Sequence, residues 1–227
     1  MMSNNQDEIN TLNANIGVFG GSFDPIHLGH IQSATHVANE LSLAKVLLIP
    51  AYISPHKTSK ALAPQASPKQ RSNMVNQVCL DNCLFRLDER ELVRGGHSFT
   101  LDTLKELKLT YSKNTLYLII GMDSLLTFDR WHGYRDILTL CHVVVNTRPN
   151  YSLEQLNPVL RALVKTHQEM NIASLKKLSA GKIYFTQPKL VNISSSEIRH
   201  QLKQQKNCQQ YLQPEIQEFI NKNKLYR

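Results

Sequence analysis

Two histidines three residues apart follow a glycine pair in the string Gly20-Gly21-Ser22-Phe23-Asp24-Pro25-Ile26-His27-Leu28-Gly29-His30. Glycine has no Cβ, so such a pair lets a ligand phosphate approach backbone N–H groups closely. At a helix entrance, residues three apart share a face and lean toward the amino end, where the dipole favours anions. His27 and His30 are therefore expected to flank one phosphate. The string is neither GxGxxG nor a Walker A loop, so its positive potential must come from imidazoles. Near the carboxyl end, Ile193-Ser194-Ser195-Ser196-Glu197-Ile198-Arg199 reads as a second helix start, with Ser194 and Glu197 at capping-box spacing. Its unshared N–H groups would bind an anion, and Arg199, directed back toward the amino end, could reach the same phosphate. No protein metal site is expected, because HxxH beside Asp24 lacks the general base of HExxH.

These segments need a frame. Ile16–Phe19 reads as a short strand running into the glycines, Ile31–Leu41 as a helix, and Lys45–Pro50 as a strand stopped by its proline. The alternation continues through a helix at Pro68–Cys79, a strand at Phe85–Leu87, a helix at Thr100–Leu109 and strands at Leu116–Ile120 and His142–Asn146. Apolar runs without polar alternation suit strands buried on both faces, and helices between them imply right-handed crossovers. The expected fold is α/β, a Rossmann-like doubly wound parallel sheet in a single domain at residues 15–227. A helical insertion at 150–181 precedes a last strand at Lys182–Phe185, and C-terminal helices occupy 194–227. The polar, Asn-rich residues 1–14 are expected to form a disordered tail.

Composition narrows the class. The chain has 227 residues, 41% hydrophobic and 19% charged, which is a globular balance with enough chain for a core. No apolar run nears the roughly 20 residues of a bilayer helix, and the start has neither a basic nor an apolar region, so no membrane partner and a cytoplasmic location are expected. The net charge of +8 is lopsided: residues 1–149 carry 14 basic and 13 acidic side chains, and 150–227 carry 12 and 5. That imbalance suggests an anionic partner. Lys176, Lys177, Lys203 and Lys206 read as solvated surface. The four cysteines, Cys79, Cys83, Cys141 and Cys208, form no CxxC or zinc pattern and are assigned packing roles as free thiols.

The first string resembles GxFDPxHxGH, and the second resembles ISSTxxR with Ser196 in place of threonine; both are signatures of the nucleotidyltransferase superfamily. Further landmarks arrive in the order seen in the bacterial nicotinate-mononucleotide adenylyltransferase family. Pro50 followed by Pro55-His56-Lys57 resembles PxxxPHK, Arg71-Ser-Asn-Met74 resembles RxxM, and Ser98-Phe99-Thr100-Leu101-Asp102-Thr103-Leu104 resembles SYTxDTL with Phe99 in place of tyrosine. Ile120-Gly121-Met122-Asp123 followed by Trp131 resembles IGxD…W, Arg148-Pro149 resembles the RP after the fifth strand, and Tyr211–Pro214 and Leu225-Tyr226 resemble the family's ending.

The resemblance implies a Rossmann-like fold and adenylyl transfer from ATP to nicotinate mononucleotide, giving deamido-NAD and pyrophosphate. It implies that His27, His30, Lys57 and Arg199 serve catalysis. Gly20, Gly21, Ser22, Phe23, Gly121, Asp123, Ile193, Ser194, Ser195 and Ser196 would bind ATP, and His56, Thr100, Trp131 and Arg148 the mononucleotide. Trp131 suits a pyridine ring, since flat aromatics stack. Mg²⁺ is expected to ride on the ATP phosphates, because no carboxylate cluster suggests a protein cage. Expected partners are the two nucleotides and a second copy of the chain as a homo-oligomer, with no nucleic acid. Alternative readings are a nicotinamide mononucleotide or pantetheine-phosphate adenylyltransferase, or a non-catalytic nucleotide-binding module.

Overall fold

A computed structural model of the chain describes residues 14–55, 63–147, 153–187 and 193–227. Its elements, in order, are β1 (Asn15–Gly21), α1 (Leu28–Leu41), β2 (Lys45–Pro50), α2 (Pro68–Leu80), β3 (Phe85–Leu87), α3 (Arg90–Arg94), α4 (Thr100–Thr110) and β4 (Thr115–Gly121). They continue with α5 (Met122–Leu125), α6 (Tyr134–Leu140), β5 (His142–Asn146), α7 (Pro158–His167), α8 (Ile172–Leu175), β6 (Ile183–Thr186), α9 (Ser195–Lys203) and α10 (Pro214–Lys222). The six strands form one sheet of order β3-β2-β1-β4-β5-β6, in which β1–β4, β4–β5 and β5–β6 pair in parallel. This is the expected α/β Rossmann-like sheet, and every long element read from the sequence is present. Four short pieces escaped that reading: α3, α5, α6 and the 3-10 turn Phe128–Arg130. Elements of one or two turns carry too little periodicity to stand out from loops.

Packing divides the chain into two compact units. One comprises Met1–Phe19, His36–Val46 and Phe99–Pro188, the other Gly20–Thr35, Leu47–Ser98 and Lys189–Arg227. In the first unit, Leu116–Ile120 and Val143–Val145 are buried throughout, as their unbroken apolar runs require. Gly17 is part of that packing: a Cβ there would lie 3.0 Å from both Leu43 and Val46. The insertion supplies α7 and α8 just ahead of β6. Asn157 caps α7, its Oδ1 accepting from Leu160 N at 3.0 Å. In the second unit, Met74, Val75 and Val78 on α2, Ile198 on α9 and Ile216 and Ile220 on α10 are buried. α2 begins with a complete capping box, Ser67 and Gln70 exchanging hydrogen bonds, with Pro68 in the first turn.

The cysteines are free thiols; Cys141 and Cys208 are buried and Cys79 half-buried, but Cys83 is exposed, a correction to its expected packing role. Of the expected tail, residues 1–13 lie outside the described residues, as do residues 150–152 of the insertion. Among the described residues, no helix is long and apolar enough to cross a membrane.

Candidate nucleotide-binding and transfer site

In the second unit, β1 ends at Gly21, whose carbonyl accepts from Ala51 N at 2.9 Å. The chain then bends sharply. Phe23 is held at φ 49°, a conformation unusual for a bulky residue, and is buried. Asp24 follows, joined to Pro25 by a cis peptide bond. Its carboxylate is 2% exposed and collects donors from three parts of the unit. Oδ2 accepts from Gln65 N at 2.8 Å, and Oδ1 accepts from Ala66 N at 3.0 Å and from the Tyr226 hydroxyl at 2.8 Å. Arg199 donates from Nη1 to the Asp24 carbonyl at 2.7 Å, and the same nitrogen lies 3.5 Å from Oδ2. Burial first, then the Asp24 carboxylate, pushes the Tyr226 phenol far above its ordinary value, so it stays protonated and donates.

The glycine loop is also held by Arg71, which is 1% exposed and donates to the carbonyls of Ser22 at 2.8 Å and Tyr52 at 3.4 Å. Burial pulls this guanidinium below its ordinary value, while Asp24 and Tyr226 act the other way. α1 starts at Leu28, so His27 sits just before the helix rather than inside it, and its carbonyl accepts from the N–H groups of His30 and Ile31. The two imidazoles lie on one side, their centroids 3.7 Å apart and planes 33° apart. They are not equivalent: His27 is 3% exposed, and His30 is half-buried. His30 Nδ1 accepts from His27 N at 3.3 Å, so in neutral His30 the proton sits on Nε2, a donor for an incoming oxyanion. Phe23 supports His30 edge-on at 5.2 Å.

α9 enters the same unit with Ser194 as its cap, Oγ accepting from Glu197 N at 3.1 Å. The expected capping box is only half made, because the Glu197 carboxylate accepts from Gln201 Nε2 one turn on. Ser195 Oγ donates to the Pro25 carbonyl at 3.0 Å, and Arg199 Nη2 donates to Ser196 Oγ at 3.2 Å. Ile193 is buried beneath the helix start. Thus Gly20, Gly21, Ser22, Phe23, His27, His30, Ile193, Ser194, Ser195, Ser196 and Arg199 all fall in this unit.

The first unit holds the remaining described candidates. β4 runs into α5 at Gly121, where a Cβ would stand 2.4 Å from Asp123 Oδ1, so the exposed carboxylate lies over bare backbone. Thr100 is the first residue of α4 and half-buried; Phe99 before it packs on His132, ring centroids 4.9 Å apart. Trp131 is half-buried, tilted against Phe128 at 5.3 Å, and closes the 3-10 turn through its N–H to Phe128 O. Asn157 of the insertion braces that turn, donating to Asp129 Oδ2 at 2.9 Å. His56, Lys57 and Arg148 lie outside the described residues.

The sequence reading passed over Asp24, Arg71 and Tyr226 as working residues. Arg71 carried a signal, an arginine three residues before Met74 on the apolar side of a helix, where only a paired guanidinium can be buried. Tyr226 carried only its place in the Leu225-Tyr226 resemblance, since nothing in Leu-Tyr-Arg says which carboxylate it meets.

The cytidylyltransferase-like family matches residues 18–201. The chain is 38% identical over 211 residues to the nicotinate-nucleotide adenylyltransferase of Escherichia coli O6:H1, covering 92% of this chain and 97% of that relative. A relative from Psychromonas ingrahamii, named as a probable nicotinate-nucleotide adenylyltransferase, is 38% identical over 212 residues, 93% of this chain and 97% of its own. Among solved structures, the Plasmodium falciparum nicotinic acid mononucleotide adenylyltransferase complexed with NaAD has a TM-score of 0.69 at 21% identity, covering 94% of this chain and 98% of that one, a likeness of fold. The chain belongs to the cytidylyltransferase-like family of nucleotide-handling α/β proteins and, within it, to the nicotinate-nucleotide adenylyltransferases.

Proposed function

We infer that the chain transfers the adenylyl group of ATP to nicotinate mononucleotide, forming deamido-NAD and releasing pyrophosphate in NAD biosynthesis. An oxygen of the mononucleotide phosphate bonds to the α-phosphorus of ATP, and the bond from that phosphorus to the bridging oxygen of the leaving pyrophosphate breaks. The nucleophile needs no base, because a phosphate monoester with a second pKa of about 6 is mostly dianionic at neutral pH. What the protein must supply is alignment and positive potential for a loose transition state.

One observation carries the residue assignment: His27 and His30 meet ring to ring, while Arg199 and the Ser194–Ser196 helix start converge on the Asp24–Pro25 turn beside them. In this reading the Nε2–H of His30, the Arg199 guanidinium and the α9 N–H groups hold the triphosphate and follow its charge onto pyrophosphate. Gly20, Gly21, Ser22 and Phe23 shape the backbone around the nucleotide, Gly121 and Asp123 take the adenosine ribose, and Lys57 adds a further cation. Trp131 and Thr100 receive the nicotinate, with His56 and Arg148 on the mononucleotide phosphate side. Among the described residues no group of three or more His, Cys, Asp or Glu could hold a metal. Mg²⁺ would be held through the substrate phosphates and water, and would neutralise charge on the departing pyrophosphate. Both substrates are soluble metabolites, which fits a reaction in the cytoplasm.

The test is pyrophosphate release from ATP with nicotinate mononucleotide, nicotinamide mononucleotide or phosphopantetheine, each supplied in turn. The highest kcat/KM is expected with nicotinate mononucleotide. Faster release with either alternative would reassign the acceptor, and no release with any of the three would leave a nucleotide-binding module.

A further inference from the structure

The Asp24 carboxylate gathers partners from three segments of the second unit, and one of its donors is Tyr226. Tyr226 is 5% exposed, sits at φ 61° and places its hydroxyl 2.8 Å from Asp24 Oδ1. Ala66 N donates to that same oxygen, whereas the other oxygen takes Gln65 N and faces Arg199 Nη1 at 3.5 Å. Arg199 is therefore held by the Asp24 carbonyl at 2.7 Å and by Ser196 Oγ, while its contact with the carboxylate stays long. Among the described residues, the buried Arg199 Nε has no partner at all.

This balance matters for an arginine that must bind phosphate. A carboxylate with one lone pair left bare turns toward the nearest cation, and a close Arg–carboxylate pair neutralises the guanidinium and occupies its donors. With Oδ1 anchored by Tyr226 and Ala66, the carboxylate cannot rotate to take Arg199 in a closer or bidentate pair. Resting on the functional reading above, we propose that Tyr226 is a positioning residue for transfer: its hydroxyl restrains the Asp24 carboxylate and so keeps the Arg199 guanidinium available to the ATP triphosphate.

The experiment is a double-mutant cycle. Tyr226→Phe keeps the buried ring and removes only the hydroxyl; it is expected to lower kcat and weaken ATP affinity, each by about tenfold, the effect of one hydrogen bond to a charged group. In an Arg199→Ala background the same substitution should change ATP affinity by less than about twofold, because the group it acts through is gone. Leu225→Ala serves as a control: it trims packing in the same terminal segment without touching Asp24, and should lower the melting temperature while leaving ATP affinity unchanged. ATP affinity is measured by calorimetry at a temperature where circular dichroism shows every variant folded. The proposal is overturned if Y226F matches the native chain, if its loss is equally large beside R199A, or if L225A loses ATP affinity as Y226F does. Failure of the native chain to release pyrophosphate would instead strike the functional reading, and the ATP-affinity cycle would still decide the role of Tyr226.

Discussion

The two units both bury neutral polar side chains but differ in the charge they bury. Among the described residues, the buried charged side chains Asp24, Arg71 and Glu91 all lie in the second unit; the polar groups buried in the first are Thr103, Asn114, His142, Asn146 and Thr186. His142 is neutral for a structural reason. Its Nδ1 accepts from Lys182 N at 3.2 Å, leaving Nε2 protonated toward the Leu178 carbonyl at 2.9 Å, and burial pulls its pKa below the ordinary 6.5. A buried ion is expensive unless hydrogen-bonded on every side, and the second unit meets that demand by crowding donors around Asp24. The unit assigned to the triphosphate is thus an ionic lattice set before substrate arrives. The unit assigned to ribose and pyridine works with an exposed carboxylate over a glycine and a half-buried indole.

That contrast can be broken at four points. The largest effect belongs to Asp24→Ala, which strands the Tyr226 hydroxyl and two backbone amides, removes the carboxylate beside Arg199, and should cost about 3 kcal/mol or more of stability in urea denaturation. A cost under about 1 kcal/mol would mean that the ionic lattice does not hold the second unit together. Next, His30→Ala should reduce kcat roughly 10²-fold with little change in melting temperature, as expected for a donor that meets developing charge; near-native turnover would remove His30 from the transfer step. Trp131→Ala should raise KM for nicotinate mononucleotide about fivefold, the worth of one stacking contact, and KM for ATP by less than about twofold. Equal rises would make the indole a packing residue.

The smallest effect concerns pH. Because the folded pKa of His142 is depressed, the unfolded chain binds its proton first, and the stability contributed by neutral His142 is complete above the unfolded value of about 6.5 and lost as pH falls below it. His142→Asn should therefore flatten the decline in melting temperature between about pH 6.5 and pH 5 relative to the native chain. Parallel curves for the two proteins would place the acid sensitivity elsewhere.

Much of this molecule is written in short range. Unbroken apolar runs such as Leu116–Ile120, the proline that ends β2 and the serine before α9 each act within a few residues, so strands, helix starts and the α/β alternation were legible. The glycine pair, the histidine spacing and the Ser194–Arg199 run were legible for the same reason: their chemistry is local to one loop or one helix turn. The half-formed box at α9 was not, because Glu197 had a competing partner one turn on, Gln201, that the spacing rule does not weigh.

The sequence by itself determined the sheet's ingredients, the two helix starts proposed to hold phosphate and, through its resemblance, the family the chain belongs to. Only the tertiary structure decided that Asp24 is the hub of the second unit, that Arg71 is buried against the Ser22 carbonyl, that the insertion braces the turn of Trp131 through Asn157, and that Tyr226 closes on a carboxylate 202 residues away. The physical reason is separation along the chain. A cap or a period is a property of neighbours, whereas a buried carboxylate takes its donors from whichever segments the fold delivers to it, and no local pattern records which those are.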